Sequence, residues 1–390
     1  MQDAVEEYDD LGDHTILRRY KAAGDIGSRV AAQISAVCVP GADIADLCAQ
    51  GDRFILKELS EIYKERKDID KGIAMPTTIS VNNVVGNFSP PASLIGKSQK
   101  LKEGDLVKIE LGVHVDGFAS NIGFSIVSTA TPDQPITGRK ADVICAAHFA
   151  GEAALHLLVN GKTNNEVTET IGKIAQVFNC NLVEGVLSHQ TKRFVCDGNN
   201  VIVNVPTPDL LAPEFSFEAG QVFTIDILMS TGSGKVKVSD EKPTIFKKVV
   251  DATYKPKVQA SRTMLQDVNR KYPTFPFSLR SFDGEGKAKL GIIELLKHDV
   301  IQPFPVILEK DNGEQVAQFK FTVLIREKVT EKLAIYNLPY VSSAISITDP
   351  ALLAIIGSTI DTRSEEEIEI DEEPEDGEVE EEEEEEEEEA

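Results

Sequence analysis

No stretch of this 390-residue chain approaches the roughly 20 apolar residues that a membrane-spanning helix requires. The opening residues, MQDAVEEYDDLGDH, are acidic where a secretory leader is basic and then apolar, so no export is expected and the protein should stay in the cytosol or nucleus. Five cysteines (Cys38, Cys48, Cys145, Cys180, Cys196) show no CxxC or CxxxC spacing. That spacing argues against a zinc cluster or a redox motif and leaves buried free thiols in a reducing compartment. RNP, KH and zinc-finger signatures are missing too, so base-sequence readout has no support. What remains is 41% hydrophobic residues and 27 glycines spread along the chain, enough for one large domain or two ordinary ones.

The formal charge of -25 is unevenly placed. Residues 364 to 390 hold 20 Asp or Glu and no Lys or Arg, leaving 45 acids against 40 bases in residues 1 to 363. A block that ends in ten consecutive glutamates repels itself and buries nothing, so disorder is expected there. Two readings of this tail stand: a solubilising appendage, or a competitor for a basic partner or for the protein's own basic surface.

Apolar periodicity predicts a helix from Thr15 through Ile34, with Ile16, Leu17, Tyr20, Ile26 and Val30 on its stripe, and a second from Asp43 to Tyr63. Strand patterns follow at 79 to 88, 105 to 112 and 117 to 128, with Asp116-Gly117 as a turn between the last two. ADVICAAHFAGEAALHLL and NNEVTETIGKIAQVF read as helices separated at Gly161. Strands resume near 181 to 187, 199 to 205 and 221 to 229. Helices and strands in blocks indicate an α+β fold.

EGDLVKIELG and AGQVFTIDIL echo one another: a glycine, alternating apolar residues, then an acid six residues after that glycine. The acids are Glu110 and Asp226, each on the strand face opposite the apolar one. Such an echo is what a pseudo-symmetric site between two sheet halves would produce.

Residues 235 to 297 carry 14 Lys or Arg against 7 Asp or Glu, a basic island in an acidic protein. Lys247, Lys248, Lys255, Lys257, Arg262, Arg270 and Lys271 lie in its first part. Helices are expected at SRTMLQDVNRKY and KAKLGIIELLKH, forming a small helical subdomain. Lys and Arg clusters contact phosphate without reading sequence, although an ordinary solvated surface has the same composition. PVILEKDNGEQVAQFKFTVLI then reads as a hairpin turning at Asn312-Gly313, with Gln318, Lys320 and Thr322 opposite Phe319, Phe321 and Val323.

PTTISVNNVVGNFSP, EGDLVKIELGVHVDGF, QVFTIDILMSTGSGK and AQFKFTVL together resemble the type II methionine aminopeptidases, in the right order over residues 13 to 340. GRKADVICAAHFAGEAAL and LSHQTKRFVCDG are closer to the proliferation-associated, ErbB-receptor-binding proteins, noncatalytic members of that superfamily. The resemblance implies the pita-bread (creatinase/methionine aminopeptidase-like) fold with a helical insert subdomain. It divides the chain into a flexible N-terminus at 1–12, a pita-bread domain at 13–345 with the basic insert at about 250–300, a C-terminal segment at 346–363 and a disordered acidic tail at 364–390.

The active enzymes bind two divalent ions with two Asp, one His and two Glu, and use a further histidine at the substrate. Matched onto this chain, the substrate histidine is Asn87, the two aspartates are Glu110 and Asn121, and the metal histidine is Leu187. His189 lies two residues along; the glutamates are Asp226 and Lys320. An ammonium about 4 Å from a cation is repelled by about 4 kcal/mol at an effective dielectric near 20. The resemblance therefore implies no catalytic residues, no metal, no cofactor and no peptidase activity, with an ion-paired network in the metals' place. It further implies association with the large ribosomal subunit and its RNA, curved DNA or protein partners, roles in ribosome biogenesis, translation and growth regulation, a monomer, and a distribution between cytoplasm and nucleus or nucleolus. Two alternatives stay open: an altered metallo-aminopeptidase using Glu110, Asp226 and His189, and a pocket that binds peptides without cutting them. LLAIIG (352–357) is either a partner-binding helix or a packed C-terminal turn.

Overall fold

The computed structural model describes residues 10–358 apart from 132, 328, 338 and 339, so residues 1–9 and the acidic tail at 364–390 lie outside the described residues. Helices α1 (His14–Val37) and α2 (Ile44–Glu61) open the chain. Asp13 accepts the N–H of Thr15 and Asp43 that of Asp46, satisfying donors that a first helical turn leaves free. Anchoring begins earlier than expected: Leu11 is buried with Leu17, Tyr20 and Phe118, so the N-terminal segment is packed before residue 13.

Strands β1 (Lys71–Val81) and β2 (Val84–Gly86) follow, then the hairpin of β3 (Leu106–Val115) and β4 (Phe118–Val127). Asp116 and Gly117 both take positive φ, 55° and 83°, matching the right-handed twist of the strands they join. β1 starts eight residues before the strand expected at 79. Pro76 obscured it: proline offers no N–H to a ladder, and the β1–β3 register shifts on both sides of Met75, between Ile73 and Met75 and between Met75 and Thr78.

The second half repeats the plan with α3 (Arg139–Leu157) and α4 (Asn164–Val177), the latter opened by a reciprocal Thr163–Glu166 capping box. After them come β5 (Asn181–Leu182), β6 (Leu187–Thr191), β7 (Val201–Val203), β8 (Val222–Ser230) and β9 (Val236–Val238). The insert contains β10 (Ile245–Lys248), α5 (Gln259–Lys271), β11 (Phe277–Ser278), α6 (Glu285–Lys297) and β12 (Ile301–Phe304). The chain closes with β13 (Ile307–Glu309), β14 (Val316–Ile325), β15 (Thr330–Lys332) and α7 (Pro350–Ile356).

The main antiparallel sheet runs β1-β3-β4-β14-β8-β6-β7, with β15 on β14 and β5 on β8. Two cores cover one face. α1 and α2 bury Ile26, Val30 and Ile55 against Ile109, Leu111 and Ile122, while α3 and α4 bury Ala150, Ile171 and Ile174 with Ile225, Phe321 and Val323. Each of these Val, Leu, Ile or Phe side chains contributes about 1.5–3 kcal/mol. The opposite faces of β3, β8 and β14 carry Glu110, Asp226 and Lys320, as alternation requires.

Two further expectations are corrected. β13 and β14 form no hairpin, although Gly313 takes the positive φ of a turn. β13 lies between β2 and β9, and β14 between β4 and β8. The fully buried Glu309 carboxylate accepts the Gly234 N–H and holds β13 on the strand after β8. The insert, too, is more than helical. β11-β10-β12 form a sheet against which α5 and α6 enclose Phe246, Met264, Val268, Phe277 and Leu295, so the unit spans 245–304 and not 250–300. In the C-terminal segment, α7 buries Leu352 on the α3 side of the sheet and leaves Leu353 exposed, the packed-turn reading of LLAIIG.

Candidate functional site

Backbone pairing sets Glu110 of β3 opposite Gly123 of β4, Gly123 opposite Lys320 of β14, and Lys320 opposite Asp226 of β8. Residues paired across neighbouring strands present their side chains on the same face, so these four form one row across the middle of the sheet. Gly123 has no side chain to contribute. Across that gap the Lys320 ammonium reaches Glu110 Oε1 at 2.6 Å and, on its other side, Asp226 Oδ2 at 2.9 Å. Burial works against the ammonium, but Asp226 and then Glu110 outweigh it and push its pKa above lysine's ordinary value. Gln318 donates to the remaining Asp226 oxygen at 2.9 Å, and Asp226's own N–H donates to Ser188 Oγ at 2.9 Å.

The row forms the floor of a cavity of about 360 Å³, whose walls bring in Asn87, Asn121, Leu187, His189, Asp197 and Lys247. All six residues matched to the old active site therefore converge on one place. Asn87, at positive φ, donates to the Pro305 carbonyl at 2.9 Å and ties the end of β2 to the segment leaving the insert. Asn121 Nδ2 stands 3.5 Å from Thr224 Oγ1, and its buried Oδ1 has no partner among the described residues. Leu187 supplies only an apolar wall. His189 is opposite Thr224 and shares a 3.4 Å contact between its Nδ1 and the Gly198 carbonyl; burial lowers its pKa.

The basic-island residues separate into two groups. Lys255, Lys257, Arg262, Arg270 and Lys271 are exposed and Lys248 is half-buried. Lys247 departs from the expectation of a phosphate-facing side chain: it is 8% exposed, lines the cavity and pairs with Asp197. Alternation in β10 explains this, since Lys247 shares a face with buried Ile245. Arg280 also points inward, donating to Asp52 at 2.7 Å, Ser89 Oγ at 2.8 Å and the Pro90 carbonyl at 3.1 Å. Gly123 and Arg280 are the functional and structural positions that sequence reasoning passed over; a glycine inside a strand was the available signal for the first.

These residues do not fit a dinuclear metal centre. A cation site needs carboxylate oxygens free to donate, and both carboxylates that remain are engaged by an ammonium standing between them. The arrangement neutralises a buried acid pair and holds three strands together. His189, Cys196, Asp197 and Lys247 are the other titratable side chains lining the cavity.

The fold and this row define a methionine-aminopeptidase-like protein of the pita-bread class. The model of metallopeptidase family M24 matches residues 18–243. Proliferation-associated protein A of Dictyostelium discoideum is 41% identical over 92% of both chains. ERBB-3 binding protein 1 of Solanum tuberosum is 43% identical over 84% of each, and a curved DNA-binding protein of Schizosaccharomyces pombe is 37% identical over 90% of this chain and 92% of its own. Among solved structures, that of a thermophilic Arx1 superposes with a TM-score of 0.83 at 29% identity, covering 89% of this chain and 99% of the other. Methionine aminopeptidase of Thermotoga maritima, 15% identical, shares the fold with a TM-score of 0.55 over 83% of this chain and 98% of its own. The chain belongs to metallopeptidase family M24, in the proliferation-associated, ErbB-3-binding group.

Proposed function

We propose that this chain is a noncatalytic, aminopeptidase-like binding protein that docks on the RNA of the large ribosomal subunit and acts in ribosome biogenesis, translation and growth regulation. It works as a monomer shared between cytoplasm and nucleus or nucleolus. The observation that carries the noncatalytic half is Lys320, whose ammonium holds both Glu110 and Asp226. An altered metallo-aminopeptidase would need those two carboxylates for metal. The binding half is supported by the exposed bases of the insert and by the likeness to the curved DNA-binding protein of Schizosaccharomyces pombe. Backbone contacts of this kind suit structured RNA or bent DNA equally in charge.

The test is co-sedimentation with purified ribosomes over a salt series, comparing the natural protein with a Lys255→Glu, Lys257→Glu, Arg262→Glu variant. Lys247 is left untouched because it is buried. Binding that weakens with salt and is lost in the variant supports the reading; binding indifferent to both rejects the insert as the contact. A second reading, capture of peptides without cleavage, is favoured by the persistence of the 360 Å³ cavity above the row. It requires peptide binding that survives the insert substitutions and disappears when the cavity is filled by Leu187→Trp.

A further inference from the structure

The insert's surface keeps more unpaired bases than unpaired acids. Three of its acids are already engaged: Asp267 by Arg270, Glu285 by Lys289, and Glu294 by the backbone N–H groups of Lys257 and Val258 at 2.8 and 3.0 Å. Those hydrogen bonds hold the Glu294 carboxylate down to about 2, so it is spent capping α5, whose own N-cap Val258 has no capping side chain. By contrast, Lys255, Lys257, Arg262, Lys271, Lys287 and Lys297 are exposed, and none makes an ion pair among the described residues. An excess of unpaired surface bases attracts polyanions.

The chain carries its own polyanion. Of the 32 residues after Ser358, the last 27 hold 20 acids and no base. At about 3.3 Å per residue they span on the order of 100 Å when extended, against a radius of gyration of about 20 Å for a folded body of this size. Any point on the surface is within reach. Covalent attachment also sets the tail's effective concentration at the insert in the millimolar range, well above that of most free competitors.

We propose that the acidic segment at 364–390 docks on the exposed bases of α5, α6 and the 255–257 segment and occupies them against external polyanions. The docking is electrostatic, so salt weakens it, and a ligand with more phosphate contacts than the tail has neutralised carboxylates displaces it. Its effect on RNA rests on the RNA-binding reading above; the contact itself does not.

The experiment compares the full chain, a chain ending at residue 363, and a full chain in which residues 380–389 are changed from Glu to Gln. Heparin-column elution and binding to a fluorescein-labelled RNA duplex of roughly 20 base pairs are measured. Carbodiimide crosslinks are mapped with no polyanion present. The expected result is later elution and at least about tenfold tighter RNA binding at about 50 mM salt for both altered chains, converging near 500 mM. Crosslinks join tail carboxylates to Lys255, Lys257, Lys287 or Lys297. Equal heparin elution of all three chains with no tail-to-insert crosslink overturns the proposal, even where RNA binds. Crosslinks and a heparin shift without RNA binding by any chain uphold the tail contact and reject RNA as the ligand.

Discussion

The Lys320 ammonium reaches Glu110 at 2.6 Å although a whole strand separates them, because the residue of β4 that lies between is Gly123. A Cβ at Gly123 would stand 2.9 Å from Lys320 Cβ and 3.1 Å from Gln318 Cδ. The glycine and the lysine act as a pair. One opens a lane across the sheet and the other fills it with a charge that both remaining carboxylates accept.

Gly123→Ala is therefore expected to destabilise the fold by about 1–3 kcal/mol, the usual result of adding a methyl group to a filled site. Gly286→Ala in α6, where an added Cβ meets nothing within 4 Å, serves as the control and gains a few tenths of a kcal/mol or more from helix propensity. Urea denaturation of both variants decides the matter; equal effects would reject the lane.

Lys320→Met leaves Glu110 and Asp226 facing each other with no cation, and a loss of about 3 kcal/mol is expected from breaking a buried pair on one side. Lys320→Glu should be similarly unstable, but with a melting temperature that rises on adding manganese, because three acids then surround the vacated position. The natural protein is expected to show no such rise, because the Lys320 ammonium already holds both carboxylates. A manganese-dependent shift in the unaltered chain, read by differential scanning fluorimetry, would contradict the role assigned to Lys320.

Much of this site was legible in the sequence because it lies on alternating strands. Glu110, Asp226 and Lys320 each interrupt the polar side of an apolar run, and the echo between EGDLVKIELG and AGQVFTIDIL correctly placed the first two on β3 and β8, one strand out on either side of the central pair β4 and β14. The sheet order that brings β14 beside β4 was not legible, since it depends on a strand separated from its partner by the entire insert. Local rules misread the 307–325 segment for a related reason. Asn312-Gly313 does turn the chain, yet Glu309 N–H and Val316 N–H bind the adjacent carbonyls of Asn83 and Asn82, so distant partners took both strands. Counting charge likewise could not tell Lys247 and Arg280, which point inward, from the bases that remain on the surface.

Arg280 joins the insert to the first half of the main domain through Asp52, Ser89 and Pro90. Its side chain is 5% exposed, so Arg280→Ala strands Asp52 without its cation and is expected to cost about 3 kcal/mol. The prediction is local as well as global. Limited proteolysis should cut within 245–304 sooner than in the natural protein, whereas Arg270→Ala, whose side chain is exposed, leaves the cleavage rate unchanged. Identical digestion of the two variants would show that Arg280 does not anchor the insert.

Lys108 gives the fold a pH dependence of its own. Its side chain is fully enclosed, Nζ donating to the Asn82 carbonyl at 2.9 Å and the Val316 carbonyl at 2.8 Å, with burial pulling its pKa down to about 7. An unfolded lysine titrates near 10.4, so between these values the unfolded chain holds a proton that the folded chain lacks. Stability from this group must then rise with pH from 7 upward, and its penalty is greatest below 7. Cys38 and Cys48, pushed up to about 12 by burial, act in the opposite sense only above pH 9, which leaves 7 to 8.5 as the clean window. Across it, unfolding free energy of the natural protein should rise relative to Lys108→Met by about 1 kcal/mol per pH unit, slightly under the 1.4 of a full proton. Parallel curves for the two proteins would mean that Lys108 keeps its proton in the folded state and that the two carbonyls alone support a buried ammonium.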